Sequence, residues 1–162
     1  MARSAPKSCT NKYYIARMNT AKFNERLYSR EGASEETGIE RTRLARIETG
    51  SLIAYPEEIL ILADAYSSPE LCNYYCSNHC AIGRVTTPEV NLKSVESSAI
   101  NLFNVLKKSS GIGEELLAIA EDGIIDEFET VRVGEIVKIL EHIERESIRF
   151  KTLVKKMEME GE

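Results

Sequence analysis

Apolar residues recur at alternating spacings of three and four in two long stretches of the C-terminal half of this 162-residue chain. Side chains with that spacing share one face of an α-helix, so each stretch predicts a long amphipathic helix. Thr86 or Thr87 is the predicted N-cap of the first helix, with Pro88 in its first turn. Asp126 is the predicted N-cap of the second, which should end near Met159. The first stripe consists of Leu92, Val95, Ala99, Leu102 and Leu106. The second, interrupted only by the polar Ser147, consists of Ile136, Leu140, Ile143, Ser147, Phe150, Val154 and Met157.

The N-terminal half carries shorter apolar stripes between capping residues, glycine and proline. A helix should begin at Tyr55-Pro56, and another after Ser68 and Pro69 that ends near Gly83. Several short helices followed by two long ones predict an all-α fold. The stripes are Tyr13, Tyr14, Ile15, Met18 and Ala21 on a first helix, and Ile59, Leu62, Ala63 and Tyr66 on the helix after Tyr55.

Two short helices joined by a tight turn are predicted between Ser29 and Gly50. Ser29 is a good N-cap for the first helix, and Gly50 suits the left-handed end of the second. Gly38 allows the positive φ of the turn between them. Leu44 and Ile47, three residues apart, give the second helix a buried stripe. The pattern is that of a helix-turn-helix.

The opposite face of the second helix carries Arg41, Thr42, Arg43 and Arg46. Long donors and a hydroxyl at the start of a helix are the residue types that contact base edges and phosphates when a helix enters the major groove. This face is therefore a candidate nucleic-acid interface.

These residues resemble a known family. Gly38-Ile39-x-Arg41-Thr42-x-Leu44-x-Arg46-Ile47-Glu48-x-Gly50 closely resembles the recognition-helix segment of lambda-repressor-like (Cro/C1, XRE-type) DNA-binding domains, and Tyr55-Pro56-Glu57-Glu58-x-Leu60 resembles their fourth helix. The resemblance covers about residues 12–76 and implies a bundle of about five short helices. The C-terminal half looks, less specifically, like the helical part of small prophage-type regulators.

The chain departs from that family in the first motif helix. The family usually has a longer loop and a hydrophobic residue in the middle of this helix, whereas this chain has Gly32-Ala33. Glycine inside a helix is unfavourable, so the helix should be short and weakly stable by itself.

The resemblance also implies a role for each polar residue of the motif. Arg41, Thr42 and Arg46 should face bases. Arg30, Arg43 and Thr49 should mostly contact phosphates. The alternative is that some of these arginines form ion pairs only, with Glu36, Glu40 or Glu48.

The charge of the chain is unevenly distributed. The net charge is −5 and the isoelectric point is about 5.3, values unusual for a DNA-binding protein. Residues 1–55, however, hold ten Lys/Arg against six Asp/Glu, and residues 56–162 hold eleven against twenty. Affinity for DNA depends on the local basic footprint, so a basic N-terminal part is compatible with DNA binding.

The composition indicates the cellular compartment of the protein. Hydrophobic residues make up 43% of the chain, and no apolar run approaches the length of a membrane span. The residues after Met1 include no apolar stretch typical of a signal peptide. The sequence thus predicts a cytoplasmic protein with no membrane partner, and its four cysteines should be reduced.

Three of those cysteines, Cys72, Cys76 and Cys80, are spaced four apart and should share one helix face. Together with His79 they are the candidate ligands of a structural zinc ion. Zinc sites usually use two short-spaced pairs from separate segments, and cysteine is often buried, so we interpret the cluster as a packing seam. Zinc and a redox function remain the alternatives, and no other cofactor is expected.

No catalytic motif is evident, and the two histidines, His79 and His142, have no visible partner, so an enzyme is not expected. We carry two hypotheses. The first is a sequence-specific double-stranded DNA-binding regulator of repressor type, with its recognition helix at about 40–48. The second is a helical interaction adaptor or antitoxin-like protein, with a structural zinc site as an option.

The predicted organisation has three parts. Residues 1–11 form a mobile arm, residues 12–83 a helix-turn-helix domain with a cysteine-rich fifth helix, and residues 84–162 a helical dimerisation region. A homodimer held mainly by residues 88–159 is expected, because the two long stripes offer more apolar surface than one short helix between them can cover. A closed monomeric bundle is the alternative.

Overall fold

The computed structural model describes residues 10–120, 125 and 127–161, apart from the side chains of residues 120 and 128. These residues form helices and no β-strand, so the predicted all-α fold, with short N-terminal helices and a long C-terminal one, is confirmed. A 3-10 helix, η1, spans Glu25–Tyr28. The α-helices are α1 (Lys12–Thr20), α2 (Arg30–Thr37), α3 (Arg41–Glu48), α4 (Pro56–Ala65), α5 (Glu70–Asn78), α6 (Gly83–Thr86), α7 (Val95–Lys108), α8 (Ile112–Ala120) and α9 (Glu127–Gly161).

The chain divides into two compact units, one of Met1–Glu89 with Lys155–Glu162 and one of Val90–Val154. This division differs from the predicted one at residue 84. Residues 84–89 stay with the first unit, since α6 packs against α5. The end of α9 also belongs there, where Lys156 Nζ donates to Glu70 Oε1 at 2.5 Å. Most of the predicted arm, residues 1–9, lies outside the described residues.

The first unit has a continuous apolar core. The predicted inner face of α4 is confirmed, because all four of its members are buried. The stripe predicted on α1 is partly wrong. The buried side of α1 carries Tyr13, Ala16 and Arg17, whereas Ile15 is exposed. The core consists of Tyr13, Ala16, Ala21, Leu27, Ala33, Ile39, Leu44, Ile47, Ala54, Ile59, Leu62, Ala63, Tyr66 and Leu71.

In the second unit, α7 begins later than predicted. Its N-cap is Ser94, whose hydroxyl accepts from the Ser97 amide at 3.3 Å, so neither Thr86 nor Thr87 caps it. Its buried positions are Ser98 and Val105. The predicted stripe is therefore displaced. Of its members, Ala99 and Leu106 are exposed.

The stripe predicted on α9 is displaced as well, because an ion pair occupies inward positions. Glu146 and Arg149 are buried, the Arg149 guanidinium contacts both Glu146 carboxylate oxygens, and its Nε donates to Asn91 O at 3.0 Å. Of the apolar residues on α9, Ile136 and Leu153 are buried as well, whereas Leu140, Val154 and Met157 are exposed. The predicted cap of this helix, Asp126, lies outside the described residues.

In the described part of the chain, no helix combines the length and hydropathy that a membrane crossing requires.

Candidate nucleic-acid interface

Helices α2 and α3 form the predicted pair joined by a tight turn. The Ser29 hydroxyl caps α2 by accepting from the Gly32 amide at 2.9 Å. The helix ends at Gly38, which has φ of +69° and donates its amide to Ser34 O. The Thr37 hydroxyl donates to Ala33 O at 2.6 Å and accepts from the buried Ile39 at 3.2 Å. The predicted cap and break are confirmed.

The N-terminus of α3 is capped by a carboxylate. Glu40 accepts from the amides of Thr42 at 2.8 Å and Arg43 at 3.0 Å. The hydrogen bond from the Thr42 amide is the main reason why the pKa of Glu40 lies below its ordinary value, and Arg41 also contributes. Since the amides of Thr42 and Arg43 already have an acceptor, only the side chains of these two residues are free to contact another molecule.

The stabilisation of α3 by the Glu40 cap should depend on pH. Because its pKa is lower in the folded chain than in the unfolded one, its cap stabilises α3 above the unfolded-state pKa and is lost as the pH falls through the folded-state value. An NMR titration of the Glu40 carboxyl carbon should therefore give a midpoint below the ordinary value of a glutamate side chain in the folded protein. The same titration in urea should give a higher midpoint. Equal midpoints in both states would mean that the carboxylate does not cap the helix.

The inner side of α3 is held by a buried ion network. Glu48 is 1% exposed, and it accepts from Arg17 Nε at 2.5 Å and Nη2 at 3.0 Å. Arg30 Nε donates at 2.7 Å to Glu48 Oε2, the oxygen that also accepts from Arg17 Nη2. Arg17 also donates to Leu27 O at 2.6 Å and Tyr28 O at 3.1 Å. Burial acts to lower the pKa of Arg17, but the bonds to Glu48 outweigh it and the pKa is raised. The network joins α1, η1, α2 and α3.

The Arg17–Glu48 pair of this network is absent from our sequence-based prediction, although a weak signal for it exists. Glu48 lies four residues after the buried Leu44, and Arg17 lies four residues after the buried Tyr13. Residues four apart share a helix face, so each charge sits in a stripe that faces the core. Opposite charges at inward positions of two helices are therefore the sequence pattern that indicates a buried ion pair of this kind.

A second ion pair ties the outer side of α3 to the start of α4. The Arg43 guanidinium binds both oxygens of Glu58, with Nη2 2.9 Å from Oε2. It also lies 4.4 Å from the centre of the Tyr55 ring. Glu58 accepts from the Tyr55 amide at 2.7 Å, which completes the cap of α4. Hydrogen bonding between the two side chains raises the pKa of Arg43 and lowers that of Glu58.

The three residues predicted to contact phosphates all have partners within the protein. Arg30 pairs with Glu48, which is one of the pairings expected as the alternative. Arg43 pairs instead with Glu58. The Thr49 hydroxyl donates to Ala45 O at 2.8 Å, closing the end of α3. These side chains help to hold the helix-turn-helix together.

The two arginines predicted to face bases differ from them. Arg41, Thr42 and Arg46 are exposed, and the two arginines form no salt bridge with any described residue. Thr42 does have a partner, because its side chain hydrogen-bonds to the Glu40 carboxylate. Arg41 and Arg30 line the same open groove, with a volume of about 480 Å³. One face of α3 thus presents two long cationic donors and a hydroxyl to solvent.

The cysteines are arranged differently from the prediction. Because α5 ends at Asn78, Cys80 follows the helix and does not continue the face of Cys72 and Cys76. Cys72 packs against the core of the first unit, and burial raises the pKa of its thiol.

The zinc alternative named Cys72, Cys76, His79 and Cys80 as ligands. Among the described residues, no group of three His, Cys, Asp or Glu side chains is placed to hold a metal ion. Cys80 Sγ instead accepts from the Gly83 amide at 3.4 Å. The His79 ring lies 5.5 Å from that of Tyr74.

Comparisons of this chain with protein-family models, with curated proteins and with solved structures give no match. What the interface does must therefore be inferred from its own residues.

Proposed function

We propose that the chain is a sequence-specific double-stranded DNA-binding regulator of repressor type, and not an enzyme. One observation carries the proposal. Helix α3 is fixed along its inner side by Leu44, Ile47 and Glu48, while Arg41 and Arg46 extend from it into solvent without an ion pair among the described residues. Arginine binds guanine through two hydrogen bonds in the major groove, which is wide enough for a helix. The capped turn between α2 and α3 supports the proposed membership of the lambda-repressor-like family.

In this proposal, Arg41, Thr42 and Arg46 read bases, and Arg30, Arg43 and Thr49 contact phosphates. The side chains of Arg30 and Arg43 keep 33% and 27% of their surface exposed, so each can contact a phosphate while it holds its carboxylate partner. The function implies a location in the compartment that holds the DNA, in agreement with the cytoplasmic location expected from the sequence.

We further propose that the protein binds DNA as a homodimer, through contacts among residues 88–159. One helix-turn-helix contacts about half of an operator, and two copies are ordinarily needed for specific binding. The second unit offers exposed apolar side chains for such contacts, namely Ile100, Phe103, Leu106, Val137 and Leu140.

The proposal is tested by selecting bound duplexes from a random pool with the full chain and then measuring mobility shifts at about 50 and 200 mM salt. We expect a preferred sequence with two related half-sites, and affinity that falls as salt rises. Arg46→Ala should reduce the preference for this sequence over a mismatched one by about tenfold or more, because one two-bond base contact is lost. Its thermal stability should be unchanged, since the side chain is exposed.

Arg84→Ala is the matched control, because Arg84 is another exposed arginine of the first unit but lies outside α2 and α3. It should keep the full sequence preference. An Arg46→Ala protein that discriminates as well as the wild type would contradict the role of α3. Absence of any preferred duplex would instead favour the adaptor or antitoxin-like hypothesis.

A further inference from the structure

The exposed side of α7 carries a row of four residues, in which two apolar side chains lie between an acidic and a basic one. Glu96, Ile100, Phe103 and Lys107 are spaced four, three and four apart. At 100° per residue they lie within about 60° of one another around the helix axis, and they span about 16 Å along it. The row is outside the core, since Ile100 is 59% and Phe103 64% exposed while α7 buries Ser98 and Val105.

The row is symmetric about a point between residues 101 and 102. Ile100 and Phe103 are equally far from that point, and Glu96 and Lys107 are equally far from it on the outside. Each half thus has an apolar inner member and a charged outer member, and the two charges have opposite sign. The Glu96 carboxylate accepts from its own amide and from Ser94, which lowers its pKa further below neutral pH.

Such a row is complementary to itself in one orientation. If two copies of α7 lie antiparallel, Ile100 meets Phe103 and Glu96 meets Lys107 twice, once on each side of a twofold axis. If they lie parallel, Glu96 meets Glu96 and Lys107 meets Lys107, and like charges oppose one another. The three-four spacing is also the one that lets side chains of two helices interlock.

We propose that α7 is the centre of the homodimer interface and that it pairs antiparallel with α7 of a second copy of this chain. Ile100 packs against the partner's Phe103, and Glu96 pairs with the partner's Lys107. This inference rests on the homodimer of the proposed function and adds its geometry. Leu106, which is 50% exposed beside the row, extends the apolar contact.

Charge reversal tests the register directly. In Glu96→Lys homodimers both outer contacts become Lys against Lys, and in Lys107→Glu homodimers both become Glu against Glu. In a mixed dimer of the two variants, both contacts again join opposite charges. We therefore expect the wild type to sediment as a dimer at tens of micromolar, and each variant alone to have a dissociation constant at least about tenfold higher. An equimolar mixture of the two should return to the dimer.

The matched control is Arg145→Glu, an exposed charge reversal on α9 in the same unit but away from Val137 and Leu140, which should leave the dimer intact. Phe103→Glu is a second disruptive variant, and no mixture with the others should rescue it fully. A monomeric wild type, unchanged dimers in both reversals, or failure of the mixture to recover would each overturn the proposal.

DNA binding is measured separately on a single half-site. Charge-reversed monomers that still prefer the selected half-site would show that the interface and the DNA-binding function are independent. A dimer that responds to the charge reversals as expected but selects no DNA sequence would support the α7 interface and contradict the proposed function.

Discussion

Replacing Glu48 by alanine should lower the free energy of unfolding by about 3–5 kcal/mol, more than any exposed substitution in this chain. Glu48 is 1% exposed and Arg17 2%, and they share two hydrogen bonds. Removing the carboxylate leaves the Arg17 guanidinium buried without its counter-charge and also frees Arg30. A loss of that size is a large fraction of the stability of a small domain. Urea unfolding followed by circular dichroism measures it.

Two companion variants identify the cause. Glu57→Ala removes an exposed acid from α4 and should change stability by less than about 0.5 kcal/mol. Arg17→Met combined with Glu48→Leu replaces the pair by apolar side chains of similar size and should cost less than Glu48→Ala alone. If the double variant is the less stable one, the unpaired charge is not the main cause of the loss.

Gly32→Ala should lower the free energy of unfolding by about 3 kcal/mol. A Cβ at residue 32 would lie closer than 3.0 Å to the backbone carbonyl of Arg26, a distance that real Cβ atoms essentially never show. Backbone cannot move aside as a flexible side chain can, so η1 and α2 must separate. That shift also displaces Leu27 and Tyr28, whose carbonyls hold Arg17.

Gly134→Ala is the control for Gly32→Ala, because the added Cβ at that position of α9 meets nothing within 4 Å. Alanine is favoured over glycine inside a helix, so this variant should gain about 0.5–1 kcal/mol. Both are measured by urea unfolding at one pH. Equal effects at the two positions would mean that helix propensity, and not the close approach to Arg26, decides the cost at residue 32.

The role of Gly32 could not be predicted from the sequence. From the sequence alone, this glycine indicates a weak helix, because glycine has a low helix propensity. In the folded chain it is the residue that allows η1 to approach α2. Ala33, next to it, is fully buried in the core. A close contact between segments leaves no local signal.

The features that could be predicted are those set by neighbours in sequence. Ser29, Gly38 and Gly50 determine caps and turns through their own side chains or φ angles, and the helix-turn-helix appears where they place it. The inner face of α4 was predictable for a similar reason, because apolar residues alone fill it. Fold class and the exposed face of α3 follow from such signals.

The features that could not be predicted depend on partners far away in the chain. The stripes predicted on α7 and α9 follow the spacing of apolar residues, but Ser98, Glu146 and Arg149 occupy buried positions. Arg149 can face inward because it has partners, namely the Glu146 carboxylate and Asn91 O, 58 residues earlier. The partner of Arg43, Glu58, lies 15 residues on and was not among the acids considered.

The division of α3 into two sets of positions has an evolutionary consequence. Residues 43, 44, 47 and 48 bury surface or pair within the fold, whereas the side chains of residues 41, 42 and 46 are exposed, so we expect substitutions at these three positions to cost little stability. In the DNA-binding function proposed above, duplicated copies of such a gene can diverge in the sequence they bind by a few substitutions at these positions, with no compensating changes in the core. The same property makes α3 a practical scaffold for directed evolution, in which libraries restricted to those three positions should consist almost entirely of folded proteins.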